Sequence, residues 1–240
     1  MIPLNTAAPT AAERPLLVWG AAGHARVVAD IARLCSFRVV GFLDDVNPAR
    51  RGETFCGAPV HVTRHCLESF REQGVQSIVI AIGAPHVRLE LASFAEQSGY
   101  SFPPLIHPRA TIAQDVVLAP GTVAMAGAVI NPGTALRAQT VINTGATVDH
   151  DCFLAEGATI CPGAHLGGGV RVGRAAWIGI GASVCDHLAI GEASVIGAGA
   201  VVTRDIPPAV IAYGVPARPV RPANVKRVPS QRTAPHPLPV

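Results

Sequence analysis

One histidine of this sequence stands between two aspartates, in the run Val148-Asp149-His150-Asp151-Cys152. Histidine is the side chain whose ordinary pKa lies nearest neutrality, so it can take a proton from an attacking amine or hydroxyl group. A neighbouring carboxylate can orient the ring and stabilise the imidazolium that forms. The spacing alone leaves open a solvated turn histidine. The residue types therefore make His150 a candidate general base, with Asp151 beside it as a candidate for the acid that tunes it.

A second group of candidate residues lies near the N-terminus, after the apolar run at 16–19. That run ends in Gly20-Ala21-Ala22-Gly23-His24, and apolar residues then recur at helical spacing. Backbone amides that open a helix form a phosphate cradle. Asp44 and Asp45 end the next apolar run, where carboxylates can bind a ribose or a base. Because the full GxGxxG of dinucleotide-binding turns is absent, a structural turn without a ligand stays open. Together, the turn and the aspartates favour a nucleotide.

These N-terminal residues need a sheet to position them. Apolar runs at 16–19, 37–43 and 77–83 predict three buried strands, and residues 86–98 predict an amphipathic helix. A further helix is predicted after the glycine turn. Strands that alternate with helices are typical of a parallel sheet with a crevice at the carboxyl ends of its strands. We therefore predict a small, Rossmann-like α/β domain over residues 15–105.

His150 belongs to a different kind of element, because the sequence from Ala110 to Asp205 repeats every six residues. The sixth positions are bulky aliphatics with one alanine among them: Ile112, Leu118, Ala124, Ile130, Leu136, Ile142, Val148, Leu154, Ile160, Leu166, Val172, Ile178, Val184, Ile190, Ile196 and Val202. Three hexads form one coil of a triangular parallel β-helix, in which the aliphatic residues stack in ladders. A sandwich of short strands would instead need period-two alternation. The repeat therefore predicts an all-β parallel β-helix over residues 106–218.

Composition and charge argue against several other classes of protein. Charged residues make up only 15% of the chain, yet no apolar run approaches the roughly eighteen residues of a membrane span. The net charge of +3 does not favour nucleic acid. Residues 1–14 lack the features of a signal peptide and predict a flexible leader, and the proline-rich residues 219–240 predict a flexible tail. We expect a cytoplasmic protein with no membrane or nucleic-acid partner.

The cysteines and histidines do not predict a metal site. The six cysteines contain no CxxC pair and indicate reduced thiols in small core positions, although a catalytic thiol stays open. His150, His165 and His187 are not separated by multiples of eighteen residues, so they do not stack on one ladder. We therefore expect chemistry without a metal.

Several stretches carry a resemblance to a known family. The hexads, with the run Tyr213-Gly214-Val215-Pro216-Ala217-Arg218, resemble the hexapeptide-repeat acyltransferases, in which such a run closes a left-handed β-helix. The runs VWGAAGHARVV at 18–28, GFLDD at 41–45 and AIG at 81–83 are similar to the N-terminal domain of the sugar O- and N-acyltransferases of the sialic acid and bacillosamine/perosamine type. Ala25 replaces the glycine usual in that family, a departure expected to tighten the phosphate turn. The resemblance covers about residues 15–218.

The left hand of the β-helix is implied by this resemblance, and so is a function. The family implies an acetyl-CoA-dependent N-acetyltransferase for the amino group of a nucleotide-linked 4-amino sugar, used in surface-glycan biosynthesis. It also implies direct attack of the amine, with His150 as base and Asp151 as the acid that tunes it, in a homotrimer whose active sites lie between subunits. O-acetylation of a sugar or of sialic acid stays open, as does a non-catalytic scaffold that binds nucleotide sugars.

The resemblance also implies which residues bind the two substrates. Those expected to contact the nucleotide sugar are Gly20, Gly23, His24, Asp44, Asp45 and Gly83. Those expected to contact acetyl-CoA are Thr159, Gly168, Gly179 and Ala198. Many relatives carry a second histidine where this chain has Thr159, which can still donate a hydrogen bond. A role that needs an imidazole is then lost, or moves to another residue such as His165.

Overall fold

The computed structural model describes residues 13–223, an α/β domain followed by a β-helix. The α/β domain comprises β1 (Arg14–Trp19), α1 (Gly23–Leu34), β2 (Phe37–Leu43), a 3-10 turn (Pro48–Arg50), β3 (Thr54–Phe55), β4 (Ala58–His61), α2 (Cys66–Glu72), β5 (Ser77–Ile80) and α3 (Pro85–Gln97). The strand order is β3-β4-β2-β1-β5, and every pair is parallel except β3 with β4. The sequence did not predict β3, β4 or α2, and the predicted third strand stops at Ile80 rather than at residue 83.

The central strand β1 is buried on both faces, as is usual for a parallel sheet covered by helices. Its alternate residues point to opposite sides: Leu16 and Val18 pack with α1, whereas Leu17 and Trp19 pack with α2 and α3. The α1 side is shared with the β-helix, whose Val123 joins the same cluster. One apolar cluster therefore spans the boundary between the two parts of the chain.

The β-helix contains nineteen short strands. In chain order they are β6 (Leu105–Ile106), β7 (Thr111–Ile112), β8 (Val117–Leu118), β9 (Val123–Ala124), β10 (Val129–Ile130), β11 (Ala135–Leu136), β12 (Val141–Ile142), β13 (Thr147–Val148), β14 (Phe153–Leu154), β15 (Thr159–Ile160), β16 (His165–Leu166), β17 (Arg171–Val172), β18 (Trp177–Ile178), β19 (Ser183–Val184), β20 (Ala189–Ile190), β21 (Val195–Ile196), β22 (Val201–Val202), β23 (Val210–Gly214) and β24 (Ala217–Pro222).

These strands form the three faces of a triangular prism. Face 1 has the order β24-β23-β21-β18-β15-β12-β9-β6, face 2 the order β22-β19-β16-β13-β10-β7, and face 3 the order β20-β17-β14-β11-β8. Parallel partners lie one coil apart, as Val129 with Thr147. The repeated aliphatics point inward, and Leu136, Ile142 and Val148 have no exposed surface. The predicted ladders therefore form the core.

Each corner of the prism holds one residue with a left-handed backbone, at a fixed step of six from Gly121 to Gly199. Most of these residues are glycine, which adopts the conformation without a side-chain clash. The exceptions are Gln139, Asp151, Ala175, His187 and Ala193. A left-handed backbone costs an ordinary residue roughly 1 to 2 kcal/mol. The same local geometry therefore recurs at every corner, and a few corners carry a side chain at that cost.

The end of the β-helix corrects one predicted boundary. Strand β24 pairs antiparallel with β23 and includes residues 219–222, which the sequence assigned to a flexible tail. Proline is compatible with an edge strand because its missing N–H is not needed there, and Pro219 and Pro222 occupy such positions.

Arg14 likewise belongs to β1 and not to the predicted leader. Residues 1–12 and 224–240, the rest of the predicted leader and tail, lie outside the described residues. Within 13–223, no helix has the length and hydrophobicity needed to cross a membrane.

Candidate active site

His150 lies at the edge of the prism between faces 2 and 3, in the corner that joins β13 to β14. Its Nδ1 lies 2.8 Å from Oδ2 of Asp151. Its backbone N–H donates to Oδ1 of Asp149 at 2.7 Å, and the same oxygen accepts a 2.8 Å hydrogen bond from Asn131, one coil earlier. The acidic residues therefore fix both the backbone and the ring of His150. The ring nitrogen Nε2 is left for other contacts.

The surroundings make His150 more basic. The hydrogen bond to Asp151 raises the pKa of His150 above its ordinary value, and the negative charges of Asp149, Asp151 and Asp186 act in the same direction. Hydrogen bonds from Asn131 and from the His150 backbone lower the pKa of Asp149, so this carboxylate stays ionised. The arrangement suits a general base oriented by a carboxylate.

Two glycines shape the space in front of Nε2. A Cβ atom on Gly168 would lie 2.6 Å from Nε2 of His150, and one on Gly167 would lie 2.0 Å from Oδ1 of Asp186. The Gly168 backbone N–H donates to that same Asp186 oxygen at 3.1 Å. His150 and Asp186 therefore approach Gly168 from opposite sides, and neither glycine position has room for a side chain. We call His150, Gly167, Gly168 and Asp186 the acceptor cradle.

The predicted coenzyme residues do not all meet at this edge. Gly168 lies there, whereas Gly179 and Ala198 lie at the edge between faces 1 and 2. A Cβ atom on Gly179 would lie 2.5 Å from a backbone oxygen of the next coil, so this glycine is needed for coil packing. Thr159 lies on face 1, buried beneath the α/β domain. His165 lies on face 2, where Nδ1 is 2.9 Å from the hydroxyl of Thr147, and so it is on a different face from Thr159.

A pocket of about 250 Å³ lies between the α/β domain and face 1. Its lining includes three predicted substrate residues, Gly23, His24 and Gly83, together with Thr159. The sequence did not single out the other lining residues: Val27, Arg88, Met125, Val141, Asn143 and Trp177. The glycine turn and the β-helix therefore form one cavity.

Arg88 of α3 is the main polar contact across this boundary, although its side chain is 1% exposed. Nε donates to the carbonyl of Gln139 at 3.0 Å, and Nη2 donates to the carbonyl of Gly157 and the hydroxyl of Thr159 at 2.8 and 2.7 Å. Nη1 donates to two carbonyls of its own domain. Burial lowers the pKa of Arg88 to about 10. Helical spacing gave no signal for this residue, because its partners come from distant coils.

His24 opens α1 and is partly buried against the pocket. Burial, and to a smaller degree the charge of Arg88, lowers the pKa of His24 to about 4. This imidazole is therefore neutral at physiological pH.

Gly20, at the end of β1, has φ of +118°, and a Cβ atom there would lie 2.6 Å from the carbonyl oxygen of Ala81. Glycine is required at this turn.

The two predicted aspartates lie at the carboxyl end of β2, and both pair with arginines. Oδ2 of Asp44 lies 3.1 Å from Nη1 of Arg50, which also donates to the carbonyl of Ala21 in the glycine turn. Asp45 accepts hydrogen bonds from Arg64 and, at 3.1 Å, from the indole N–H of Trp19. Arg50 also pairs with Glu53 at 2.7 Å, so its charge is balanced by two carboxylates, and it links the end of β2 to the glycine turn.

The cysteines and the metal-ligating residue types were the other candidates for a reactive centre. All six cysteines are free, and burial raises the pKa of Cys152 to about 11 and of Cys161 to about 12, which disfavours a thiolate. No group of three or more histidine, cysteine, aspartate or glutamate residues within 13–223 could hold a metal ion.

The His150–Asp151 pair and the pocket lie on opposite sides of the prism. The edge between faces 2 and 3, with His150, is opposite face 1, which packs against the α/β domain. Within one chain, the body of the β-helix therefore lies between the His150–Asp151 pair and the predicted substrate residues: Gly20, Gly23, His24, Asp44, Asp45 and Gly83.

Comparisons with known proteins agree with both halves of this architecture. Residues 15–94 match the family described as the PglD N-terminal domain. A putative acetyltransferase of Schizosaccharomyces pombe is 62% identical over 45 residues, which is 19% of this chain and 22% of that protein. The galactoside O-acetyltransferase of Escherichia coli is 47% identical over 55 residues, 23% of this chain and 27% of that protein. The match thus spans about a quarter of the length of these curated relatives.

Solved structures match over far more of the chain. A mutant perosamine N-acetyltransferase from Caulobacter crescentus, in complex with CoA and GDP-perosamine, is 37% identical with a TM-score of 0.83, covering 88% of this chain and 99% of that one. The acetyltransferase domain of PglB from Neisseria gonorrhoeae, in complex with acetyl coenzyme A, is 38% identical with a TM-score of 0.81, covering 87% and 100%. The predicted fold class, an α/β domain followed by a left-handed parallel β-helix, is confirmed. This chain belongs to the hexapeptide-repeat sugar N-acyltransferases, the acetyltransferase family that its glycine turn and hexads predicted.

Proposed function

We propose that this protein transfers the acetyl group of acetyl-CoA to the amino group of a nucleotide-linked 4-amino sugar, a reaction that supplies surface-glycan synthesis in the cytoplasm. The observation that carries the proposal is the His150–Asp151 pair, whose Nε2 faces a cradle kept open by two glycines. The complexes of the two solved relatives with CoA and GDP-perosamine, and with acetyl coenzyme A, support the choice of substrates.

The reaction follows from the chemistry of this pair. The sugar amine attacks the thioester carbonyl while His150 Nε2 takes a proton from the nitrogen. Asp151 holds Nδ1 and stabilises the imidazolium. The tetrahedral intermediate then collapses, the C–S bond breaks, and the imidazolium returns its proton as CoA leaves as a thiol. A preorganised backbone N–H would stabilise the developing oxyanion.

The α/β domain would hold the acceptor. The amides of the Gly20–Gly23 turn open α1, so this region suits a diphosphate. Asp44 and Asp45 lie at the end of β2, on the same side as this turn, and would bind the ribose or the base. The neutral His24 and the pocket beneath it would receive the sugar.

The opposite placement of the pocket and His150 supports an active site built from two chains. We assign the base to one subunit and the acceptor pocket to the next, in a homotrimer whose β-helices lie side by side. Acetyl-CoA would then lie along the coils between subunits, near Gly168 of one chain and near Gly179 and Ala198 of the other. Thr159, held by Arg88 beneath the α/β domain, would lie on the acceptor side.

The experiment is free-thiol release from acetyl-CoA with a panel of UDP-, GDP- and dTDP-linked 4-amino sugars, with product mass recorded. Free sialic acid and galactosides test O-acetylation, which the match to a galactoside O-acetyltransferase keeps as a second candidate. His150→Ala should lose turnover by about a thousandfold or more, while His165→Ala, an exposed histidine on face 2, retains it. Nucleotide binding without turnover by the native protein would favour the scaffold.

A further inference from the structure

The acceptor cradle contains one residue that the proposed mechanism does not use, Asp186. It lies at the same edge as His150, two coils further along, in the corner between β19 and β20. The Gly168 N–H donates to Oδ1 of Asp186 at 3.1 Å and so anchors this carboxylate. Oδ2 has no hydrogen-bond partner in the described part of the chain. One carboxylate oxygen of Asp186 is thus held by the backbone, and the other can accept a hydrogen bond from a ligand.

Amines and hydroxyls differ in how many hydrogens they offer such a site. An amine that has attacked a carbonyl carries two N–H bonds, of which one proton goes to the base. The second N–H needs an acceptor. An attacking hydroxyl carries one hydrogen only, which the base takes. A second acceptor beside the base therefore favours an amine, and a site built to bind an N–H discriminates strongly against an analogue that lacks it.

We infer that Asp186 contacts the acceptor nitrogen and makes the enzyme specific for amines over hydroxyls. Gly168 holds the carboxylate, His150 Nε2 takes one proton of the nitrogen, and Asp186 accepts a hydrogen bond from the other N–H. Both glycines are required, because a Cβ atom on Gly168 would clash with the His150 ring and one on Gly167 would clash with the Asp186 carboxylate. This inference rests on the proposed function and names the residue that selects its substrate class.

The same edge provides a matched control. Asp205 follows β22, one coil beyond Asp186, and Oδ1 accepts a 2.9 Å hydrogen bond from the backbone N–H of Ala189. Asp205 thus makes the same kind of contact with a backbone amide, but further from His150. Asp186→Asn removes the charge and keeps an oxygen for the Gly168 amide, and Asp205→Asn makes the same change outside the cradle.

The test compares a 4-amino nucleotide sugar with its 4-hydroxy counterpart, through kcat/KM and through the Kd of each sugar with CoA bound. We expect Asp186→Asn to lower kcat/KM for the amine by about 10- to 100-fold. The Kd of the hydroxy sugar should stay the same, so the preference for the amine disappears. Asp205→Asn should behave as the native enzyme.

An unchanged preference in Asp186→Asn, or an equal loss for both sugars, overturns the inference while leaving the proposed function intact. Asp186→Ser distinguishes a folding defect, because it should lose the amine preference while its thermal unfolding and CoA affinity match those of the native protein. A native protein that acetylates no amino sugar of the panel overturns both the inference and the proposed function.

Discussion

Arg88 donates a 2.7 Å hydrogen bond to the hydroxyl of Thr159, across the boundary between the α/β domain and the β-helix. The same guanidinium binds the carbonyls of Gln139 and Gly157, which lie on successive coils. Arg88→Met would leave these buried acceptors without donors. We expect it to lower the free energy of unfolding by about 2 to 5 kcal/mol, measured by urea denaturation.

Arg137 offers the control for this stability prediction, because its guanidinium is exposed and pairs with Glu156 at the surface. Arg137→Met should change the free energy of unfolding by no more than about 0.5 kcal/mol. Equal stability of the Arg88 and Arg137 variants would show that the interdomain hydrogen bonds contribute little.

The pH dependence of turnover should report the His150–Asp151 pair. The hydrogen bond to Asp151 raises the pKa of His150 above 6.5. A base must be neutral to accept a proton, so activity should fall as the pH drops through this raised value. Asp151→Asn should move the acidic limb of kcat/KM to lower pH and also reduce the plateau. Asp205→Asn should leave the limb in place, and an unmoved limb in Asp151→Asn would contradict the assignment.

Stability at mildly acidic pH should depend on His24. Its pKa is about 4 in the folded chain, below the ordinary 6.5 expected when unfolded. Between these values the unfolded chain binds a proton that the folded chain does not, so acid favours unfolding. From pH 7 to pH 5 this residue should remove on the order of 1 to 2 kcal/mol of stability. His24→Gln should abolish that part of the loss, whereas His165→Gln should not. Identical pH profiles for native and His24→Gln proteins would disprove the lowered pKa of this imidazole.

Gly168→Ala tests the shape of the acceptor cradle. The added methyl would lie 2.6 Å from Nε2 of His150, so the ring has to move. Displacement of a catalytic group by about 1 Å can cost roughly a hundredfold. We expect kcat to fall by about 10- to 100-fold, with thermal unfolding nearly unchanged because the methyl meets a side chain and not the backbone. A native kcat in this variant would show that the His150 ring can move away from the methyl group without loss of activity.

The sequence was most informative where structure is periodic. The hexads predicted the β-helix because every coil repeats the same inward aliphatic residue, and Leu136 and Ile142 have no exposed surface. His150 and Asp151 could be singled out as a candidate pair because the two hydrogen-bonding partners are adjacent in the chain, and the family resemblance implied their roles. Local sequence determines such features.

Contacts between segments that are distant in the sequence could not be predicted from local sequence patterns. Arg88 looked like an ordinary helical residue, since its acceptors lie 51 to 71 residues away. Asp186 lies on the same edge as His150 because the two residues are separated by two full coils. The residues next to Asp186 in the sequence do not indicate that it lies near His150. The arginine partners of Asp44 and Asp45 likewise depend on tertiary packing. One signal was available: Asp151 and His187 occupy left-handed corners where glycine is usual, on the edge that carries the base.

In the proposed trimer, His150 of one chain serves the acceptor pocket of another. His150→Ala removes the base, and the double change His24→Ala with Asn143→Ala removes two groups from the pocket. Each variant alone should be inactive. When the two are unfolded and refolded together, about a quarter of the sites should combine an intact base with an intact pocket. Acetyl transfer to a 4-amino nucleotide sugar at roughly that fraction of native kcat is the predicted result. No recovery in mixed oligomers, with each variant still binding nucleotide or CoA, would contradict a site shared between chains.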